Sequence, residues 1–349
     1  MTLNARRVTA ATLAIALVSV ALFALTLRQA GLSAIVELVA RVGWAGFAAI
    51  LCLSGVRLAA RSVAWLQCLP ARGRLGVSDA FRATLMGEAL GNVTPFGTVL
   101  SEPAKAVLVR DRLPLEAAFP ALVIENIVYA ASVAAMIVIG ALAFLSRYKM
   151  EPGLRLVSLC AIGGMLIVVV TATVLLGTRA APLSRMIEGL GARMALPGWL
   201  SSRAARIRRF EERVGTFARS NPKPFVRLLL CETVFHAAGV AEVFVALALA
   251  VPGLSPTLLT ALILESTGRL INVAFRFVPL RMGVDEAGSG LVTMALGLGT
   301  APGVMLGLVR KARVSAWTGI GVMLLLQRGL SVGRALDEVT SLGPKTPTE

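Results

Sequence analysis

Charged and amide side chains recur at helical spacing inside otherwise apolar runs of this sequence, and their chemistry is that of anion recognition. Glu265, Arg269, Asn272 and Arg276 follow at intervals of 4, 3 and 4, which stacks all four on one side of a helix. Leu262, Ile263, Leu264, Leu270, Ile271 and Val273 surround them, so the stripe must face the interior of a bundle. Either Glu265 pairs with Arg269 and holds helices together, or two guanidinium forks line a cavity and grip phosphate oxygens bidentately. Arg57 and Arg61, with Trp65 at the same interval, form a second stripe. Arginines near a helix end also snorkel to the interface beside an aromatic belt, which is the alternative account of that pair. Arg310 and Arg313, with Trp317, make a third.

Polar groups also gather in two stretches, Glu88 to Lys105 and Glu265 to Glu286. Each contains a proline with a glutamate seven residues later, Pro95 to Glu102 and Pro279 to Glu286, and a glycine between, Gly97 and Gly283. In the first stretch Glu88 and Asn92 share a face, and Glu102 and Lys105 follow the break. Glu125 and Asn126 lie about ten residues into a long apolar run. A charge at the bilayer centre costs about 2.5 to 3.5 kcal/mol on insertion scales, so such groups face protein, water or a ligand. Glu232 and His236 are four apart on another run, with Glu242 beyond. An ExxxH pair does not make a metal site, which ordinarily needs three or four ligands, and a helix-stabilising hydrogen bond is the expectation for it. The four cysteines are scattered singly and suit packing.

Reaction chemistry finds little support. The four aspartates, Asp79, Asp111, Asp285 and Asp337, include no pair that would hold magnesium on a diphosphate, and no GxSxG, HExxH, Walker or SxxK element is present. No cofactor, no metal and no enzymatic activity are expected. The basic excess, 35 Lys plus Arg against 19 Asp plus Glu, suits cytoplasmic membrane loops and lacks the aromatic interleaving of a nucleic-acid surface.

The elements that position these groups are membrane helices. Hydrophobic residues make up 56% of the 349 and charged ones 15%, against about 25% charged in soluble proteins. Runs near 8–27, 43–66, 115–145, 156–177, 225–251 and 256–278 read as spans, with 284–299 and 303–327 less regular. The first of them reads as a retained signal anchor. The uncharged turn at 251–256 makes an extracytoplasmic hairpin tip, whereas 180–223 carries nine basic residues and is placed in the cytoplasm. There Ile207, Phe210, Val214 and Phe217 form an apolar stripe, suited to packing on the bundle or to lying on an anionic leaflet. These loops agree with a cytoplasmic N-terminus if 80–104 enters and leaves from one side. The expectation is an all-α polytopic protein with about eight spans, one or two re-entrant hairpins, a possible internal repeat and both termini inside. It comprises one transmembrane domain over 1–330, a basic loop at 178–224 and a tail at 331–349.

Asn92 to Pro95, Gly97, Ser101 to Lys105 and Glu125-Asn126 together resemble the first half of the flippase-like membrane family that includes the membrane region of lysylphosphatidylglycerol synthase and its stand-alone, partly hopanoid-associated relatives. Val278 to Ala287 is similar to that family's second Pro-Gly-Glu element, Arg61 with Trp65 to its early element, and Arg310 or Arg313 to its late basic position. Many relatives carry a compact Pro-x-Arg-x-Gly-Glu first; here four residues separate Gly97 from Glu102 and the arginine is missing. The resemblance implies the translocating part without the aminoacyl-transferase domain. The expected function is a lipid flippase or lipid-handling transporter of the cytoplasmic membrane. Arg57, Arg61, Arg269, Arg276, Arg310 and Arg313 would take an anionic lipid head group, with Glu88, Asn92, Glu102, Lys105, Glu125, Glu265, Asn272 and Glu286 lining or orienting the cavity. The alternative is a non-transporting scaffold or accessory subunit for an enzyme of lipid or envelope synthesis.

Overall fold

The structure, a computed structural model, describes residues 24–69, 75–94, 97–148, 151–177, 208, 212, 214–251, 253, 255–275 and 283–328. Residues 8–23 of the expected signal anchor at 8–27, most of the basic loop, Arg276, the prolines Pro95 and Pro279, and the tail lie outside them. Nine long helices follow in order among the described residues: α1 (Leu32–Cys68), α2 (Val77–Val93), α3 (Gly97–Leu108), α4 (Leu115–Arg147), α5 (Pro152–Gly177), α6 (Pro222–Ala250), α7 (Leu258–Ala274), α8 (Val284–Ala295) and α9 (Ala301–Gln327). No strand occurs among these residues. The protein is all-α and integral to a membrane: α1, α4, α5 and α6 are long and apolar enough to cross one.

Helix boundaries follow local chemistry. Pro222 opens α6 and Pro302 lies in the first turn of α9, where proline's missing N–H is unneeded and its φ is already helical. Thr257 caps α7 by accepting the Thr260 N–H at 3.1 Å. Gly283 precedes α8 at φ 81°, a left-handed conformation that favours glycine. Its N–H donates to Glu286 Oε2 at 2.9 Å. Gly43, at φ 60°, kinks α1.

Four of the remaining five helices form two short pairs, α2/α3 and α7/α8, and α9 is longer, at 27 residues. At 1.5 Å per residue α2 and α7 reach about 25 Å and α3 and α8 about 18 Å, all short of a hydrocarbon core about 30 Å thick. α3 packs back on α2, and α8 contacts α7 and α9; α9 also packs on α2 and α1, while α1 runs along α6. Small residues let these helices approach: a methyl on Gly46 would lie 2.6 Å from Leu249 of α6, and one on Gly321 would lie 2.6 Å from Ala89 of α2. α5 turns Leu156, Ile167 and Val170 outward, as a lipid-facing helix must.

Two large apolar clusters, one around Trp65, Met86 and Leu122, the other around Ile50, Leu247 and Met305, fill most of the bundle, and a small third joins Val133 and Ile137 to Ala161. The charged residues fall between them. Along α1 the order is Ile50, Arg57, Arg61, Trp65; along α6 it is Leu228, Glu232, Glu242, Leu247. Val214 and Phe217, from the stripe of the basic loop, are buried in the first cluster, so that end packs on the bundle.

Candidate functional site

Arg57 and Arg61 are one helical turn apart on α1, and each begins a different ionic cluster. Arg61 holds Glu125 of α4 bidentately, Nε to Oε1 at 3.0 Å and Nη2 to Oε2 at 3.1 Å. Its Nη2 is also 3.9 Å from Glu102 of α3, which accepts from Lys105 at 2.8 Å. Two cations meet two carboxylates here, and Glu125 and Lys105 are buried. Arg57 donates to Glu242 of α6 at 2.6 Å and lies 3.6 Å from Glu265 of α7. Arg313 of α9 also donates to Glu242, at 2.6 and 2.8 Å. Arg269 contacts Glu265 at 2.8 and 2.9 Å, and Arg310 of α9 is 3.6 Å from the same carboxylate. Four guanidinium groups thus surround two carboxylates.

Aromatic rings join the clusters. The Arg61 Cζ is 4.0 Å from the centroid of Tyr129 on α4, whose hydroxyl accepts from Arg269 Nη1 at 3.3 Å. The Phe235 ring carries both Arg57, at 4.8 Å, and Arg269, at 4.7 Å. Such stacking favours a desolvated guanidinium. Glycines make the room: a methyl on Gly239 would sit 2.6 Å from Glu265 Oε1, one on Gly268 2.6 to 2.8 Å from the Arg310 guanidinium, and one on Gly87 2.6 Å from Lys105.

A third group lies on α8 and α9. Glu286, fully buried, pairs with Lys311, which is 3.9 Å from Asp285. A fourth joins α4 to α6: the hydroxyl of Ser132 contacts Glu232 Oε2 at 2.8 Å and His236 Nε2 at 3.0 Å. The expected intrahelical bond between Glu232 and His236 is therefore replaced by a bridge between helices. Among the described residues no three His, Cys, Asp or Glu are gathered as metal ligands.

The snorkelling account of Arg57, Arg61 and Trp65 fails, because Arg57 is 7% and Trp65 1% exposed. Arg57 and Arg61 are held instead by carboxylates of α4, α6 and α7, and Trp65 lies in the first apolar cluster. Arg269 is paired with Glu265, so the internal ion pair is present, while Arg276 lies outside the described residues. Glu88 and Asn92 stay apart from the clusters; Asn92 donates to Thr318 at 3.0 Å and ties α2 to α9. Asn272 is half-buried on α7. Glu242, Tyr129, Phe235 and Lys311 were not singled out as site residues. The signal was there: Glu232, Phe235, Gly239 and Glu242 repeat at 3, 4 and 3, and Glu125, Tyr129 and Ser132 at 4 and 3, one face each.

A cavity of about 650 Å³ lies away from the arginines, between the end of α1, the start of α4 and residues 216–224. Comparison with known proteins finds a family profile, described as Lysylphosphatidylglycerol synthase TM region, that matches residues 11–319. No curated protein and no solved structure matches.

Proposed function

The chain belongs to the lysylphosphatidylglycerol synthase transmembrane-region family, and from that premise we propose that it is a lipid-handling transporter, a flippase, that takes an anionic head group into the Arg57, Arg269, Arg310 and Arg313 cluster. The observation that carries this reading is the local surplus: among the described residues the buried Arg57 and Arg269 and the half-buried Arg310 and Arg313, on three helices, share Glu242 and Glu265. Guanidinium stays protonated at any physiological pH, so the surplus cannot be removed by losing a proton, and a lipid phosphate meets it with planar, bidentate geometry. Acyl chains remain in the bilayer beside α5. The short pair α2/α3 enters and leaves the membrane from one face, a discontinuous element of the kind that many secondary transporters use. Eight spans, cytoplasmic termini and a place in the cytoplasmic membrane complete the reading, and no chemical step is assigned to the protein.

The scaffold reading has its own observation. Counting all four groups, Arg57, Arg61, Lys105, Arg269, Arg310, Lys311 and Arg313 face Glu102, Glu125, Glu232, Glu242, Glu265, Asp285 and Glu286, and the total balances. Proteoliposomes with fluorescent lipids in one leaflet separate the two. The transporter reading expects accelerated leaflet exchange of anionic lipids, lost in Arg269→Gln with folding intact. Absence of acceleration across anionic and zwitterionic lipids, or unfolding of the variant with loss of a partner, favours the scaffold.

A further inference from the structure

Ser132 has one hydroxyl proton and three neighbours. Its Oγ is 2.8 Å from the Tyr129 carbonyl, 2.8 Å from Glu232 Oε2 and 3.0 Å from His236 Nε2. The arrangement closes when Ser132 donates to the carbonyl and accepts twice, from a carboxylic acid proton on Glu232 and from the His236 ring N–H. With Glu232 ionised, the hydroxyl proton goes to Oε2 and Oε1 is left as a bare anionic oxygen in the interior. Glu232 is 3% exposed, and neither Glu232 Oε1 nor His236 Nδ1 has a hydrogen-bond partner. A buried, open-ended chain of this kind needs an explanation, and the lipid-binding reading leaves it unused.

We infer that Glu232, Ser132 and His236 form a proton-binding site whose occupancy is linked to the anion site. The linkage runs through neighbours on every packed helix. Facing Glu232 are Glu125 from α4, Arg61 and Cys68 from α1, Arg269 from α7 and Cys231 on its own helix, while His236 faces Arg57, Arg269 and Glu265. Arg269 is common to both and belongs to the arginine cluster. With the proton in place Glu232 is neutral and the surplus at Arg57 and Arg269 is available to an incoming anion. When the proton leaves, a carboxylate competes for the same guanidinium and repels the anion. By reciprocity the bound anion holds the proton, and one proton accompanies one head group. The proton site stands on its own geometry; its coupling rests on the transporter reading.

The test has two arms on detergent-purified, full-length protein. Difference infrared spectra between acid and alkaline pH are expected to contain the carbonyl band of a protonated buried carboxyl, absent in Glu232→Gln, whose amide still donates to Ser132. Should that variant not fold, Ser132→Ala is expected to shift the band by removing its acceptor. The second arm measures affinity for short-chain phosphatidylglycerol and for glycerol phosphate against pH. Wild-type affinity is expected to fall, towards tenfold per pH unit, as Glu232 loses its proton, and to be flat in Glu232→Gln. Binding of the lipid alone marks the head group as ligand; equal binding of glycerol phosphate marks the phosphate itself. A band that neither substitution changes, or wild-type affinity as flat as the variant's, overturns the inference. If neither probe binds at any pH while the band persists, the transporter reading and the coupling fall together and the proton site remains.

Discussion

Arg57 and Arg61 occupy the same helix, one turn apart, yet they belong to opposite kinds of environment. Around Arg61 charges cancel: Arg61 and Lys105 against Glu125 and Glu102, on α1, α3 and α4. Around Arg57 they do not, since Arg57, Arg269, Arg310 and Arg313 share Glu242 and Glu265. A balanced buried pair is self-sufficient, and removing one of its partners leaves a bare ion. An unbalanced cluster tolerates loss of a cation but invites an anion. Equal burial and similar residue types therefore do not mean equal roles. The local charge count separates a clamp from a receptor.

The sharpest way to break this comparison is to delete one arginine from each side. Arg61→Gln strands Glu125, which is 2% exposed, and is expected to cost about 3 to 5 kcal/mol, read as a lower unfolding temperature in detergent. Arg57→Gln leaves each of its carboxylates with another arginine, so it should lower the unfolding temperature far less than Arg61→Gln does. Equal losses would erase the distinction. Anion affinity should move the other way: Arg57→Gln removes a charge-assisted contact worth about 1.5 to 3 kcal/mol, a fall of tenfold or more in titrations with short-chain phosphatidylglycerol. Folded Arg61→Gln protein should bind as wild type does at acidic pH, where Glu232 carries its proton. Gly268→Ala, which drives a methyl into the space of the Arg310 guanidinium, should lower affinity several-fold while Arg310 shifts. Arg41→Gln, on an exposed pair with Glu37, should alter neither stability nor binding measurably, as surface pairs contribute little.

Much of this was legible in the residues. Seven of the nine helices are anticipated as apolar runs, and the break between α2 and α3 follows from Thr94, Pro95 and Gly97. Family membership is legible in the order of short motifs, and the profile match bears it out. Periodicity also placed Glu265 and Arg269 on one face. It could not supply their partners, because Glu242 and Glu265 meet Arg57 and Arg313 across sequence separations that only the packing of α1, α6, α7 and α9 closes. Arg61 with Glu125, 64 residues apart, is the same case. Spacing within one helix reveals a face, and charge balance emerges only when faces are paired.

The glycines opposite charged side chains impose a constraint of inheritance on this arrangement. The space that Gly268 leaves is the space that the Arg310 guanidinium fills, and Gly239 stands in the same relation to Glu265. Neither member of such a pair can drift alone. A relative that enlarges position 268 must shorten or abandon the cation at 310, so the two positions should change together along the family's lineages, although they lie on different helices.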